Sequence, residues 1–111
     1  MSGLLPGDIA ILILGESGAA LGRQLRAALP GARLHGPRSR PGDWDETFER
    51  ASIHIGQLFE GGQSIIGVCA SGILIRSIAA LLAAKREEPP VVAVAEDGSV
   101  AVPLVDRKSV V

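Results

Sequence analysis

The residues with the clearest chemical potential lie in the stretch SIIGVCASGILIRSIAALLAAK, residues 64–85. Its CASG turn (69–72) contains only small residues, so the backbone N–H groups at the start of the following helix are accessible to a ligand. Arg76 follows after about one helical turn and is a charge among apolar neighbours. The helix dipole does not favour a cation near the amino terminus, and an arginine on a buried helix needs an acceptor.

Two hypotheses for Arg76 stay open on the residues alone. In the first, Arg76 extends its guanidinium to water or pairs with an acid such as Glu16, and its role is structural. In the second, Arg76 binds a carboxylate or phosphate together with the backbone amides of Ala70, Ser71 and Gly72.

A second glycine-rich turn, GESGAALG (15–22), follows the first apolar run. Its spacing matches neither the dinucleotide motif nor a phosphate loop, because no Gly-Lys-Ser/Thr follows, and Glu16 would repel a phosphate. A tight turn with close helix–sheet packing explains these glycines. The turn still lies where ligands bind in parallel sheets, so Gly15 and Ser17 are candidate ligand contacts.

The other reactive residue types form no catalytic or metal-binding set. Cys69, the single cysteine, excludes an internal disulfide, fits a reducing compartment and is typical of a buried small hydrophobe. His54 lies on a predicted helix and is interpreted as structural. His35 ends a predicted strand at the ligand-binding edge, so a role for it stays open. No metal-ligand spacing joins these residues, and we expect neither a metal nor a cofactor.

Composition limits the classes of partner that the chain is expected to bind. The formal net charge of −1, with no Tyr, one Trp and two Phe, indicates no affinity for nucleic acid or for anionic lipid. Residues 64–85 could span a bilayer by apolarity, but Arg76 near the middle would cost about 2.5–3.5 kcal/mol, so we expect no membrane span. The start MSGLLPGD lacks the basic residues of a signal peptide, and we expect a cytoplasmic protein.

The two glycine-containing turns, at 15–22 and 69–72, lie in a predicted series of alternating strands and helices. Apolar runs predict strands at 8–15, 32–36, 64–69, 91–95 and 99–105, and helical periodicity predicts helices at 16–31, 43–62 and 71–86. For the second helix, Asp43 and Glu46 have the spacing of a capping box. Asp97-Gly98 predicts the final hairpin.

The order βαβαβαββ predicts an α/β fold with three layers, a mainly parallel sheet of about five strands and a last antiparallel strand at the edge. Pro103 agrees with an edge position. Ligands bind at the carboxyl ends of the strands in such sheets, which is where both glycine-containing turns lie.

The stretch GVCASGILIRSIAALLAAKREEPPVVAVAEDGSVAVPL (67–104) resembles the N-terminal domain of the CbiG family, the cobalt-precorrin-5A hydrolases of cobalamin biosynthesis. The upstream segment IAILILGESGAALGRQLRAALPGARLH is similar to the family's opening strand, helix and strand, so the resemblance covers nearly the whole chain. The residues that fill the family pattern are Gly67, Ser71, Gly72, Ile73, Arg76, Lys85, Glu88, Pro89, Val91, Val92, Asp97 and Gly98.

The resemblance implies a function. The family opens a lactone on the ring-contracted corrin intermediate and releases acetaldehyde, and the same domain is found fused to precorrin methyltransferases. Acetate and propionate groups of such a corrinoid would give Arg76 an acceptor. A homodimer or a downstream domain of the same protein is the expected protein partner. The alternatives are a non-catalytic α/β interaction module and a binder of small phosphates or nucleotides.

Two departures from the family pattern bear on activity. Ala80 stands where the family usually has Pro, and VDRKSVV (105–111) replaces the family's Gly-His and Gly-Gly-Ala-Asn segment. We therefore expect residues 1–111 to be one CbiG N-terminal-like domain, a truncated piece of a longer protein with an atypical tail at 105–111. Whether the isolated chain catalyses a reaction stays open.

Overall fold

A six-stranded mixed sheet with three α-helices organises the fold. The computed structural model describes residues 9–82 and 89–105. The strands are β1 (Ile9–Ile13), β2 (Arg33–Pro37), β3 (Glu46–Phe48), β4 (Ser64–Val68), β5 (Val91–Val94) and β6 (Ala101–Val105). The helices are α1 (Ala19–Ala28), α2 (Ala51–Glu60) and α3 (Ser71–Leu82), with a short 3₁₀ turn at Glu16–Gly18 before α1.

The strand order is β3-β2-β1-β4-β5-β6, and every neighbouring pair is parallel except β5 and β6. The predicted α/β class with a mainly parallel sheet and an antiparallel edge hairpin is confirmed. Among the described residues, no helix is both long enough and apolar enough to cross a bilayer. The carboxyl-terminal part of the third predicted helix (83–86) and most of the predicted tail (106–111) lie outside the described residues.

Helices cover both faces of the sheet. Successive strand residues point to opposite sides, and apolar side chains on both sides need to be buried. On one face, Ile11 and Ile13 of β1 pack with the buried residues beneath α1. On the other face, Leu12 packs with Phe59 of α2 and Leu74 of α3. The continuous apolar sequence of β1 therefore reflects burial on both sides.

Close helix–sheet contact explains two glycines. A Cβ atom at Gly22 of α1 would lie 2.5 Å from Ile13 Cδ1, and one at Gly67 of β4 would lie 2.7 Å from Leu74 Cδ1. Real Cβ atoms essentially never approach this closely. The packing role expected for the glycines of turn 15–22 is thus seen at Gly22.

The predicted helix over 43–62 is wrong at its beginning. The chain forms the short strand β3 at Glu46–Phe48, parallel to β2, and the helix α2 begins only at Ala51. The sheet therefore has a sixth strand, and no capping box forms, because α2 has no side-chain cap.

Contacts with distant residues account for this difference. Arg26 of α1 donates to Asp43 Oδ2 at 2.7 Å and to Asp45 Oδ2 at 3.1 Å, and the Leu34 N–H of β2 donates to Asp45 Oδ2 at 2.7 Å. The Trp44 ring lies against Gly36, where a side chain would overlap it. These contacts hold the segment 43–48 extended beside β2, and they override its local capping pattern.

The last hairpin forms as predicted. Gly98 has a φ of +78°, which the turn requires and which side chains disfavour. The Ser99 N–H donates to Asp97 Oδ1 at 2.9 Å, and the Ala95 N–H donates to the Val100 carbonyl at 2.9 Å. The turn thereby places β6 at the sheet edge, where Pro103 is exposed.

Candidate functional site

A pocket of about 440 Å³ borders the turn that joins β4 to α3. The turn residues Cys69, Ala70 and Ser71 form one side, and the β5–β6 hairpin forms the other. The carboxyl ends of β4 and β5 therefore carry this pocket, which is the position expected for a ligand in a parallel sheet.

The pocket is mostly apolar. The hairpin contributes Ala93, Ala95, Val100 and Val102. Val100 is 54% exposed and Val102 is 42% exposed, so their apolar surface is open to a ligand. Glu96 is the one charged residue in the lining, and its carboxylate disfavours a phosphate or nucleotide inside the pocket.

Arg76 lies on the exposed side of α3, although the helix was expected to be buried. Its Nη1 atom is 3.5 Å from the position that a Cβ atom of Gly72 would occupy, so the guanidinium folds back over the first turn of the helix. Arg76 forms no ion pair or hydrogen bond with any described residue, Glu16 included. It is not among the residues that line the pocket, and its charge is free for a ligand at the rim.

The turn before α1 reaches the same edge of the sheet. A Cβ atom at Gly18 would lie 2.9 Å from Val68 Cγ1, so this turn packs against the end of β4. Nothing lies within 4 Å of a Cβ position at Gly15, and Ser17 is exposed. Gly15 and Ser17 do not line the pocket, although the adjacent parallel strands bring both turns to one edge.

Cys69 is buried, as its apolar neighbours indicated. Burial, helped by the negative charge of Glu96, raises the pKa of the Cys69 thiol to about 11. The thiol is therefore protonated at neutral pH and is not an activated nucleophile.

A pair of histidines joins β2 to α2, and the sequence interpretation missed this pair. The His35 Nδ1 and His54 Nε2 atoms are 2.8 Å apart, and the two residues are 19 positions apart in the chain. Phe48 stacks on the His54 ring at a centroid distance of 5.1 Å. Neither histidine has a local motif, so only the packing of β2 and α2 in the fold reveals their contact.

Burial sets the protonation of this pair. His35 is only 4% exposed, and burial together with the neighbouring His54 lowers the pKa of His35 to about 4. Burial also lowers the pKa of His54. Both rings are therefore neutral at pH 7. Within residues 9–82 and 89–105, no group of three or more His, Cys, Asp or Glu side chains could hold a metal ion.

Comparison with known proteins identifies the family. The family model described as cobalamin synthesis G N-terminal matches residues 53–107, about half of the chain. The chain belongs to this family. The match includes most of α2, the turn at 69–72, α3 and the β5–β6 hairpin, and therefore the whole lining of the 440 Å³ pocket. This CbiG N-terminal domain thus has a role in cobalamin biosynthesis.

A solved structure supports the fold. It comes from Sulfolobus solfataricus and is described as a cobalamin biosynthesis protein G homolog; it aligns with a TM-score of 0.53 at 14% identity. The alignment covers 91% of this CbiG N-terminal domain and 30% of the other chain, so the domain spans less than a third of that protein's length. No curated protein matches the chain.

Proposed function

We propose that this CbiG N-terminal domain binds a carboxylate-rich corrin intermediate of cobalamin biosynthesis at the β4–α3 turn. The observation that carries the proposal is the pocket between residues 69–71 and the β5–β6 hairpin, which lies within the segment that the family model matches.

The β4–α3 pocket and its rim match both the apolar faces of a corrin ring and the carboxylates at its edge. The macrocycle has broad apolar faces, and the alanine and valine wall of the hairpin can bury part of one. The acetate and propionate groups project from the rim of the ring. Arg76, unpaired and folded over Gly72, can hold one such carboxylate through two parallel hydrogen bonds.

Glu96 orients the ligand in this arrangement. A rim carboxylate is repelled by Glu96 inside the pocket and attracted by Arg76 outside it. The carboxylates should therefore point toward the first turn of α3, while an apolar or hydrogen-bond-donating part of the corrin faces Glu96.

The reaction related to this family is lactone opening of cobalt-precorrin-5A with release of acetaldehyde. Among the residues that line the pocket, Cys69 carries a protonated thiol and Ser71 has no histidine in the lining to activate it. We infer that this domain supplies substrate binding and that the groups that open the lactone belong to another domain. A downstream hydrolase or methyltransferase domain, or a second copy of the chain, is the partner that this division of labour requires.

Calorimetric titration with dicyanocobyrinic acid, a corrin with free side-chain carboxylates, tests the proposal. The acid should bind, and its methyl ester should bind more weakly because the esters offer Arg76 no charge. Arg76→Gln should weaken binding of the acid by about tenfold to a hundredfold, the loss of one charge-assisted hydrogen-bond set. Arg76→Lys should fall between, since a lysine cannot form the paired hydrogen bonds.

Arg40→Gln is the matched control. Arg40 is also exposed and has no ion pair with a described residue, and it lies in the loop between β2 and β3. This variant should bind the acid as wild type does. Absence of binding to the wild-type chain, or equal affinities of Arg76→Gln and Arg40→Gln, would contradict the proposal.

A further inference from the structure

A second pocket, of about 430 Å³, lies where β3 leads into α2. It is lined by Thr47, Phe48 and Arg50 from β3 and the turn after it, and by Ile53, His54 and Gln57 from α2. Four strand spacings, roughly 19 Å, separate β3 from β5 in the sheet order. This β3–α2 pocket is therefore separate from the β4–α3 turn, and its chemistry does not depend on corrin binding.

The charges at the β3–α2 pocket leave one arginine free. Glu49 is also in the lining, but Arg38 Nη1 donates to its Oε2 at 2.8 Å, so this carboxylate already has a cation. Arg50 is exposed and has no ion pair or hydrogen bond with a side chain in the described part of the chain. An anion in this pocket would therefore meet an unneutralised guanidinium, and the hydroxyl of Thr47 and the amide of Gln57 can donate beside it.

His54 adds a titratable group to the pocket. Its Nε2 atom is engaged with His35 Nδ1, so Nδ1 is the ring nitrogen that remains, and no described residue forms a hydrogen bond with it. Part of the lining is apolar: Phe48 stacks on the His54 ring, and Ile53 is 53% exposed. The pocket thus combines a cation, a titratable donor and apolar surface.

We propose that the β3–α2 pocket binds a small organic carboxylate, with Arg50 and His54 on the carboxylate and Phe48 and Ile53 against the carbon chain.

Protonation of His54 strengthens binding, because the charged ring attracts the carboxylate whichever tautomer the neutral pair adopts. A charged His54 donates from Nδ1 to the ligand and from Nε2 to His35 Nδ1, which must be neutral to accept. Burial keeps His35 neutral, because its pKa is about 4. The ligand's negative charge favours the charged form of His54 and offsets the burial that lowers the pKa of His54 in the free protein.

The other charged groups near the pair do not replace this mechanism. Glu46 raises the pKa of both histidines, but burial is the larger effect at each of them. At His35, Arg33 lowers the pKa and Asp45 raises it, each less than burial does. In the pocket itself, Glu49 is paired with Arg38, so Arg50 is the cation in the lining that a bound carboxylate would neutralise.

The probe is isovalerate, a branched carboxylate, and the matched neutral probe is isovaleramide. The chain has two histidines, so their ring resonances report on the pair directly in a ¹H–¹⁵N NMR titration. Isovalerate should shift the His54 ring signals with a Kd on the order of 1 mM. It should move the His54 ring nitrogens toward the doubly protonated form, and it should bind severalfold more tightly at about pH 5.5 than at about pH 8. Isovaleramide should leave the signals unchanged.

Two variants and one control decide the assignment. Arg50→Gln should weaken isovalerate binding about tenfold, and His54→Gln should remove most of the pH dependence of the affinity, read from the Arg50 side-chain signal. Arg40→Gln, at an exposed arginine that has no ion pair with a described residue and does not line this pocket, should bind isovalerate as wild type does. The proposal is overturned if isovalerate leaves the His54 signals unmoved, if isovaleramide binds equally well, or if Arg50→Gln and Arg40→Gln do not differ.

Discussion

The pockets at the two ends of the sheet are built from different chemistry. The β4–α3 pocket consists of small residues and an apolar hairpin wall, with one acid, Glu96, and with Arg76 outside it. The β3–α2 pocket carries the free Arg50 and a histidine that is backed by a second, buried histidine. The first combines apolar area with the fixed charge of Arg76 at its rim, and the second combines the fixed charge of Arg50 with a titratable histidine. Dependence on pH near neutrality should therefore belong to the second region alone.

The largest expected effect is acid destabilisation through His35. The pKa of His35 is about 4 in the folded chain against 6.5 for the free side chain, so the unfolded state takes up the proton first as pH falls. The contribution to stability is complete above pH 6.5 and is lost as pH falls from 6.5 toward 4, by on the order of 3 kcal/mol. Urea unfolding measured across this range checks the loss.

His35→Gln should flatten this pH dependence, since glutamine does not titrate. The carboxyls of Asp43 and Asp45 have pKa values below 3.8, because Arg26 and backbone N–H groups donate to them, so their losses fall at lower pH than the histidine window. If wild type and His35→Gln lose stability in parallel between pH 6.5 and 4, His35 does not set the acid response.

The next largest expected effect is the low reactivity of the Cys69 thiol, which lines the β4–α3 pocket. With a pKa of about 11 instead of 9.0, the thiolate fraction at pH 8 is about a hundredfold below that of a free thiol. Reaction with a disulfide reagent should be slower than that of the urea-unfolded chain by at least this factor. Equal rates in the folded and unfolded chains would show that burial does not suppress the Cys69 thiolate and would contradict the raised pKa.

Gly36→Ala should damage the β3–α2 region selectively. The added Cβ would overlap the Trp44 ring, which lies on Gly36 where the loop carries β3 alongside β2. We expect a loss of about 1–3 kcal/mol in unfolding free energy, the usual cost of overpacking. The NMR signals of His54 should shift while the amide signals of residues 70–72 stay in place. Changes of similar size in both regions would indicate that the two pockets are coupled.

Gly72→Ala is the matched substitution in the other region and should have the smallest effect. Its Cβ would meet only Arg76 Nη1, at an ordinary contact distance of 3.5 Å, within the first turn of α3. Because alanine is the better helix former, the unfolding free energy should stay equal or rise by at most about 1 kcal/mol. A loss of more than that would show that the CASG turn needs glycine for its backbone.

Local patterns were enough to predict most of the β4–α3 region. The apolar run of β4, the small residues of CASG and the Asp97-Gly98 turn each act through neighbouring residues, so their structural consequences can be read from short segments. The exposure of Arg76 could not be predicted this way. Nearly all residues of α3 are apolar, so its sequence does not distinguish the face that packs on the sheet from the outer face, where Ile75 is 46% exposed.

The β3–α2 region depends on contacts between residues far apart in the chain. Asp43, which resembles a helix cap, and Asp45 are held by Arg26, 17 and 19 positions earlier, and these contacts allow β3 to form. His35 and His54 meet only because β2 and α2 pack together. No short sequence pattern encodes either contact, so neither β3 nor the histidine pair could be predicted.

Mapping dicyanocobyrinic acid onto the chain by ¹H–¹⁵N chemical shifts is the sharpest test of the corrin site, because one titration reports on both pockets. We expect saturable shifts in the amides of Ala70, Ser71 and Gly72 and in the Arg76 side chain, with smaller changes along the hairpin at Ala95 and Glu96. The His54 ring and the Arg50 side chain should show no saturation at the same ligand concentrations. Shifts confined to His54 and Arg50, with residues 70–72 unmoved, would contradict the assignment of the corrin site to the β4–α3 turn.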